Sequence, residues 1–332
     1  MDVISPEETV TTKKQSLGRE VLRRLFKEKK LGLIGGIITV LLLFTGIFAD
    51  FIAPYNLNET NMMENMQPAS ATHWLGTDNL GRDMLSNVIY GARISMIVGL
   101  AAATLATINS TILGSLTGYI GGKFDLFVQR LVDVWMGVPQ LILLIIIMSI
   151  TGPGIWQVSI VLGISWGIIG SRIVRGAVIG VKENAYIDAA KSIGSTAPRI
   201  FFRHILPNIL APTIVLFTVR VANAILTEAS LSFLGFGIPP PAPSWGGMLS
   251  GSGRAYMFLA PWMVVWPGVA LSLVVFGVNM FGDALRDIFD PRLRRGLGRF
   301  GQMRSKQIIK DLRRQEENEA KEKSTAAETS SS

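Results

Sequence analysis

Apolar residues in this chain come in long blocks rather than in one-sided stripes, and that feature restricts the fold more than any other. From Leu31 to Ala53 the only charge is Asp50, near the far end of the block. A helix needs about 20 apolar residues to cross a bilayer, so this block predicts a spanning helix. It is longer than the apolar region of a cleaved signal peptide, and Ile47-Phe48-Ala49 lacks a small-x-small pattern, so it reads as an uncleaved signal-anchor. Later blocks predict spans at roughly 94–118, 134–151, 155–177, 209–233 and 262–281. The expected fold class is therefore an all-α integral membrane protein with six transmembrane helices. Pro139 and Pro267 fall inside apolar blocks and are expected to kink them. The second span is rich in small residues (Ala101, Ala102, Ala103, Ala106, Ser110, Gly114), which permit close helix approach.

Six spans put both ends of the chain on one side of the membrane, and the basic residues say which. Of the 32 lysines and arginines, 28 fall in the two tails and in the connections at 121–130 and 172–203. Arg82 and Arg254 alone fall on the opposite side, while Arg93 and Arg220 lie within or at the edge of spans. This asymmetry predicts cytoplasmic termini and a cytoplasmic loop at 182–208. It also accounts for the net charge of +8 without nucleic acid as a partner. The absence of cysteine excludes disulfides, thiolate metal sites and cysteine nucleophiles. His73 and His204 fall on opposite sides in this topology and cannot share a metal; His73, beside Trp74, reads as an interfacial residue. The nearest approach to a phosphate loop is Gly121-Gly122-Lys123-Phe124. It has Thr117 where Gly is needed and Phe124 where Ser or Thr is needed, so this chain is expected to bind no nucleotide or other cofactor.

Between the first two spans, Thr77 is placed to cap a helix in which Asp78 suits the N-terminal end and pairs with Arg82. Leu80, Met84, Leu85 and Val88 would give that helix an apolar side lying along the outer face. Asp78, Arg82 and Asp83 read as fixing this loop rather than as an active site. The stretch 235–253, GFGIPPPAPSWGGMLSGSG, carries too much Pro and Gly for regular structure and predicts a stiff outer turn. Beyond Gly301 the composition predicts a disordered, mixed-charge tail with some helix at Arg304–Lys323.

The stretch Lys182–Asn208 is charged yet lies between apolar blocks. Tyr186, Ile187, Ala190 and Ile193 recur at helical spacing and stop at Gly194, which is suited to a left-handed closing position. Ser195 and Thr196 can cap a second short helix, Pro198 fits its first turn and Pro207 is expected to end it. Such a pair cannot form its own core. It is expected to lie on its own membrane helices and to present its turn to another protein.

The fifth span carries Arg220 near its midpoint, where a lipid-exposed arginine costs about 2.5–3.5 kcal/mol. Arg220, Asn223 and Thr227 share one helix face, with Glu228 adjacent near the outer end. Two readings stand for this set: a helix-packing network, or a lining of the substrate path.

Asp188-Ala189-Ala190, three residues, Gly194, nine residues, then His204-Ile205-Leu206-Pro207 resembles the EAA loop of membrane subunits of ATP-binding-cassette importers. Asp188 stands where that motif has Glu, and His204 where Ile is usual. The run Gly76-Thr77-Asp78-Asn79-Leu80-Gly81-Arg82-Asp83, the SLSFLGFG and SWGGML stretches and GDALRDIFDPRLR resemble the C-type permeases of the dipeptide, oligopeptide and nickel branch. The resemblance covers about residues 70–295. It implies the type I importer permease fold, with a basic tail at 1–30, a signal-anchor at 31–53, an outer loop with its interfacial helix at 54–91, a permease domain at 92–285 and a charged tail at 286–332. It further implies a heterodimer with a B-type permease, two cytoplasmic ATPases that use the ATP, an external solute-binding protein and a surround of membrane lipid. Peptides are the expected cargo, with nickel chelates or sugars as alternatives. A stand-alone carrier would show ionisable groups in several spans, and an intramembrane protease paired catalytic residues at membrane depth; neither pattern is present.

Overall fold

The computed structural model describes residues 25–26, 29–57 and 59–289. The chain divides at Ile288 into two units, and the architecture below is that of the first. Its elements are α1 (Lys30–Ile47), α2 (Ala49–Ile52), a 3-10 turn at Met62–Glu64, α3 (Met84–Ile120), α4 (Gly122–Met136), α5 (Gln140–Thr151) and α6 (Ile155–Lys182). There follow α7 (Ala185–Ser192), α8 (Ala197–Ile200), a π turn at Phe201–Ile205, α9 (Leu206–Phe233), α10 (Trp245–Leu249), α11 (Gly251–Tyr256) and α12 (Trp262–Phe289). Among the described residues the one β-type pairing is an isolated bridge between Thr77 and Asp83. The expected helix at Arg304–Lys323 and most of the basic N-terminal tail lie outside the described residues.

Among the described residues five helical stretches are long and apolar enough to cross a membrane: α1, α3, α6, the run Ala197–Phe233 and α12. The span expected at 134–151, with a kink at Pro139, is broken outright. The chain turns by 89° between α4 and α5, so the pair makes a sixth span only if counted together. Pro139 supplies no N–H and pushes Val138 out of the helical region, which separates the two helices. With 12 residues, α5 is about 18 Å long, well short of the ~30 Å hydrocarbon core.

The centre of the bundle is the pair α3 and α6. Of the apolar window of α6, 61% is buried, against 22% for α1 and α12. Lipid tails are as apolar as leucine, so helices in a membrane associate through close packing rather than hydrophobic transfer. Gly114 and Gly118 of α3 provide it: a Cβ at Gly114 would lie 2.8 Å from Val174 Cβ, and one at Gly118 would lie 3.0 Å from Val178 Cβ. Helix α9 covers this pair through Ala224 and Leu231, which cluster with Val98, Ala102 and Leu162. A second cluster, with Leu42, Ala103, Ile225 and Val278, brings in α1 and α12. Just past the C-terminal end of α1 the charge that breaks the first apolar block is paired. Arg93 sets its fork on Asp50 at 3.0 and 2.8 Å and donates through Nε to the Gly46 carbonyl at 2.9 Å.

The helix expected to start at Thr77 does not form. Residues 77–83 close a tight loop in which Asp78 N–H donates to the Arg82 carbonyl at 2.9 Å, and the 37-residue α3 begins only at Met84. Two features compete with a helix here. The Asp78 side chain takes the N–H groups of Leu80 and Arg82, and Gly81 sits at φ +70°, in the left-handed region. The helix cap is Asp83 rather than Thr77: its Oδ2 accepts from Ser86 N at 2.8 Å.

Candidate functional site

The segment after α6 is built as a docked helix pair. Ile187 and Ala190 of α7, with Ile200 and Ile205 beyond the turn, are buried in one cluster with Val174 and Val178 of α6 and Ile209 of α9. That apolar side seats the pair on the membrane helices, while Asp188, Ala189, Lys191 and Gly194 stay exposed. Asp188 pairs along its own helix with Lys191 at 2.9 Å. Helix α7 ends as its sequence predicts. Gly194 takes φ +78°, its N–H reaches the Lys191 carbonyl, and Ser195 N–H reaches the Ala190 carbonyl, the paired bonds of a glycine-closed C-terminus. A side chain on Gly194 would meet no atom of this chain within 4 Å, so the turn projects into open space.

Pro207 does not end the second helix as expected. The helical run Ala197–Phe233 is continuous, passing through a π turn at Phe201–Ile205 just before Leu206 and Pro207. Within the membrane every backbone group must be satisfied along the segment, and Pro207 sits in the first turn of α9, where a missing N–H is tolerated. His204 falls in the π turn, half-buried, its ring 6.1 Å from that of Tyr186. From Ala197 to the end of α9 the chain is thus one continuous helical run with a single irregular turn.

Two ion pairs that the sequence reading counted only as inside charges flank this loop. Arg175 of α6 forks onto Asp125 of α4, and Arg172 bonds Asp133. Lys182 donates to the Tyr119 carbonyl at 2.7 Å. The signal was present in the spacing: two arginines three apart on α6 face two aspartates eight apart on α4.

The stripe on α9 divides. Arg220 is buried between α3 and α6, donating to Thr107 Oγ1 at 3.2 Å, Ser110 Oγ at 3.0 Å and the Trp166 carbonyl at 3.4 Å. Glu228 is fully buried and accepts from Ser232 Oγ at 2.6 Å, and the same hydroxyl accepts from Ile238 N–H at 3.0 Å, fastening the start of the Pro-rich loop. Asn223 is exposed and Thr227 half-buried, so these two do not join the buried groups.

In the segment before α3, Gly76 (φ +80°) and Gly81 are buried turn residues. Thr77 is fully buried, donating to the Glu64 carbonyl and accepting from Gln67 N–H. Trp262 of α12 donates to the Thr77 carbonyl at 2.9 Å. Burial pushes the Asp78 carboxyl above its usual range, outweighing the N–H bonds from Arg82 and Leu80 that pull it down. His73, expected at the interface, is instead 4% exposed. Its Nδ1 lies 3.0 Å from Asp83 Oδ1 and its Nε2 3.4 Å from Glu64, with the Tyr55 ring stacked at 4.8 Å. The acceptor left over on the capping aspartate draws the imidazole inward.

A polytopic helical bundle with a docked helix pair whose turn is exposed defines a membrane-spanning protein. Residues 110–295 match the family described as binding-protein-dependent transport system inner membrane component, and residues 16–69 match the N-terminal TM domain of oligopeptide transport permease C. The chain belongs to the first of these families. It is 43% identical over 276 residues to the dipeptide transport system permease protein DppC of Alkalihalophilus pseudofirmus, covering 83% of this chain and 90% of that protein. It is 38% identical over 288 residues to the oligopeptide transport system permease protein OppC of Bacillus subtilis, covering 87% of this chain and 94% of that protein. A chain of the MetNI methionine ABC transporter, solved in inward-facing conformations, superposes with a TM-score of 0.51 at 17% identity, covering 62% of this chain and 98% of that chain. The likeness is one of fold, and it is the fold of type I importer permeases.

Proposed function

We propose that this chain is the C-type membrane subunit of an ATP-driven importer of short peptides, and that 182–208 is its coupling loop. The observation that carries the reading is the seating of α7. Ile187 and Ala190 share one cluster with α6 and α9, so a push on the exposed Gly194 turn moves two membrane helices directly. The helical run that starts at Ala197, just past the turn, continues into a span and so carries a displacement of the turn into the membrane. In this reading both termini and the loop face the cytoplasm of a cell membrane, in keeping with the basic-residue asymmetry. Two separate ATPase chains bind ATP and close on the loops, a B-type permease supplies the other half of the path, and an external receptor delivers solute. Peptide is favoured as cargo because the relatives at 43% and 38% identity are named for dipeptide and oligopeptide transport.

The test is reconstitution. The chain is purified with its partner subunits, placed in proteoliposomes with receptor on one side and ATP on the other, and uptake of labelled dipeptide is measured. ATP-dependent uptake that needs the receptor is expected. A chain that purifies without any ATPase, or vesicles that move dipeptide without ATP, would overturn the reading.

A further inference from the structure

The outer segment and the Pro-rich loop border a half-open cavity of about 320 Å³ that coupling and helix packing do not use. One wall is Pro239-Pro240-Pro241-Ala242-Pro243, whose proline rings fix φ and leave little freedom to collapse. Met84, Met248 and Met263 line another part, and methionine adapts to apolar groups of varied shape. Its polar lining is four serines (Ser232, Ser244, Ser250, Ser252) together with Asp78, Arg82 and Asn87.

The last three are incompletely satisfied. Asn87 is 8% exposed, and among the described residues its side-chain amide has no hydrogen-bond partner. The Arg82 guanidinium has no ion-pair partner among the described residues, and its Nε is buried without a partner. Asp78 uses Oδ1 alone for the N–H groups of Leu80 and Arg82, which leaves Oδ2 free. Buried polar groups left unpaired cost stability. Arg82 Nε is such a group, and the half-buried Asp78 and the Asn87 amide line the same space with capacity to spare, so the three together point to a ligand that satisfies them. One guanidinium, one carboxylate oxygen and one neutral amide sum to no net charge and complement a molecule carrying one charge of each sign. The volume sits at the small end of the ~300–1,000 Å³ range of ligand pockets.

We propose that this cavity is an outer binding site for a zwitterion of amino-acid or dipeptide size, its carboxylate held by Arg82 and Asn87 and its ammonium by Asp78. That the natural occupant is a peptide rests on the function proposed above; the zwitterion chemistry rests on the cavity.

The test uses the assembled transporter complex in lipid nanodiscs without receptor, with labelled Ala-Phe, its C-terminal amide and its N-acetyl form as probes in equilibrium dialysis. Ala-Phe is expected to bind, with each blocked form weaker by about tenfold or more, the loss of one charge-assisted contact. Arg82→Gln is expected to erase the preference for the free carboxylate, and Asp78→Asn the preference for the free ammonium. Should Arg82→Gln not assemble, Asn87→Ala takes its place, and the blocked peptides on the unaltered complex need no variant. Equal binding of all three probes, no binding at millimolar concentration, or a preference untouched by all of these substitutions would overturn the proposal. Uptake in proteoliposomes separates it from the import reading. Zwitterion-selective binding without peptide uptake keeps the site and sinks peptide import; uptake without receptor-free binding does the reverse.

Discussion

Arg175 and Asp125 meet fork to carboxylate, Nε to Oδ1 at 2.6 Å and Nη2 to Oδ2 at 2.5 Å, although 50 residues separate them in the chain. The pair ties α4 to the C-terminal half of α6, before α6 gives way to the 182–208 loop. It also holds this short amphipathic helix in place before the chain turns sharply at Pro139.

Asp125 is 8% exposed and the Arg175 side chain 31%. Removing one partner of a fully buried pair costs about 3–5 kcal/mol, so Asp125→Ala is expected to cost somewhat less. Thermal unfolding of the purified complex measures this. The exchanged pair, Asp125→Arg with Arg175→Asp, is expected to recover part of the loss. A double-mutant cycle with zero coupling would show that the contact does not hold α4.

The Arg220 guanidinium spreads its donors over two hydroxyls on α3 and a carbonyl on α6, which favours the packing reading over the path reading. Arg220→Leu is expected to lower the yield of assembled complex, because Thr107 and Ser110 lose their donor in the membrane interior. Arg220→Lys is expected to fall between, since one ammonium cannot reproduce the planar fork. Gly170→Ala is expected to act like Arg220→Leu, because its Cβ would overlap the guanidinium. Normal assembly with reduced transport in Arg220→Leu would assign the residue to the path instead.

Asp78 makes a pH prediction with a definite sign. Its carboxyl is raised by burial, so the folded state holds the proton more tightly than the unfolded chain does, whose Asp titrates near about 3.9. The stability linked to that proton is fully present below the unfolded value and is lost as pH rises through the folded one. Asp78→Asn keeps an acceptor for Leu80 and Arg82 without the buried charge. The variant is therefore expected to melt at or above the unaltered protein at pH 7, with the difference shrinking as pH falls. Melting curves between pH 7 and pH 4 check this; a gap that widens on acidification would refute it.

The spans and the helix pair were legible because each has a local cause. Apolar length sets a crossing, and Gly194 in a charged interval sets a turn. The misread places are those where a distant residue decided. Thr77 looks like a cap until Asp78 and Gly81 fold the loop back on itself and leave that task to Asp83. His73 looks interfacial until the spare oxygen of Asp83 is placed beside it. Pro207 looks like a stop, yet the membrane's demand for satisfied backbone carries the helix through it. The stripe on α9 was correct in its spacing but not in its environment, since the i, i+3, i+7 pattern cannot say that Arg220 is enclosed while Asn223 is open.

Gly194 offers the sharpest test of coupling. Its φ of +78° costs a non-glycine residue roughly 1–2 kcal/mol of backbone strain. The position is exposed and a Cβ there meets nothing within 4 Å, so no clash within this chain adds to that cost. A large side chain is therefore tolerated by the fold, while a partner groove receiving the turn is blocked by it. Gly194→Trp is expected to insert, to assemble with the companion permease and to bind receptor normally. It is also expected to lose ATPase retention, or to hydrolyse ATP without importing solute. Gly194→Ala carries the same backbone strain with almost no bulk, so it separates the two effects: a mild defect in Ala and a severe one in Trp points to the groove. Asp188→Ala is expected to be milder than Gly194→Trp, since it removes only an exposed charge paired with Lys191. The measurements are receptor-stimulated ATPase activity, uptake, and the ratio of ATPase to permease after purification. If Gly194→Trp matches the unaltered complex in all three, the turn touches no partner and 182–208 is a solvated connection rather than the coupling loop.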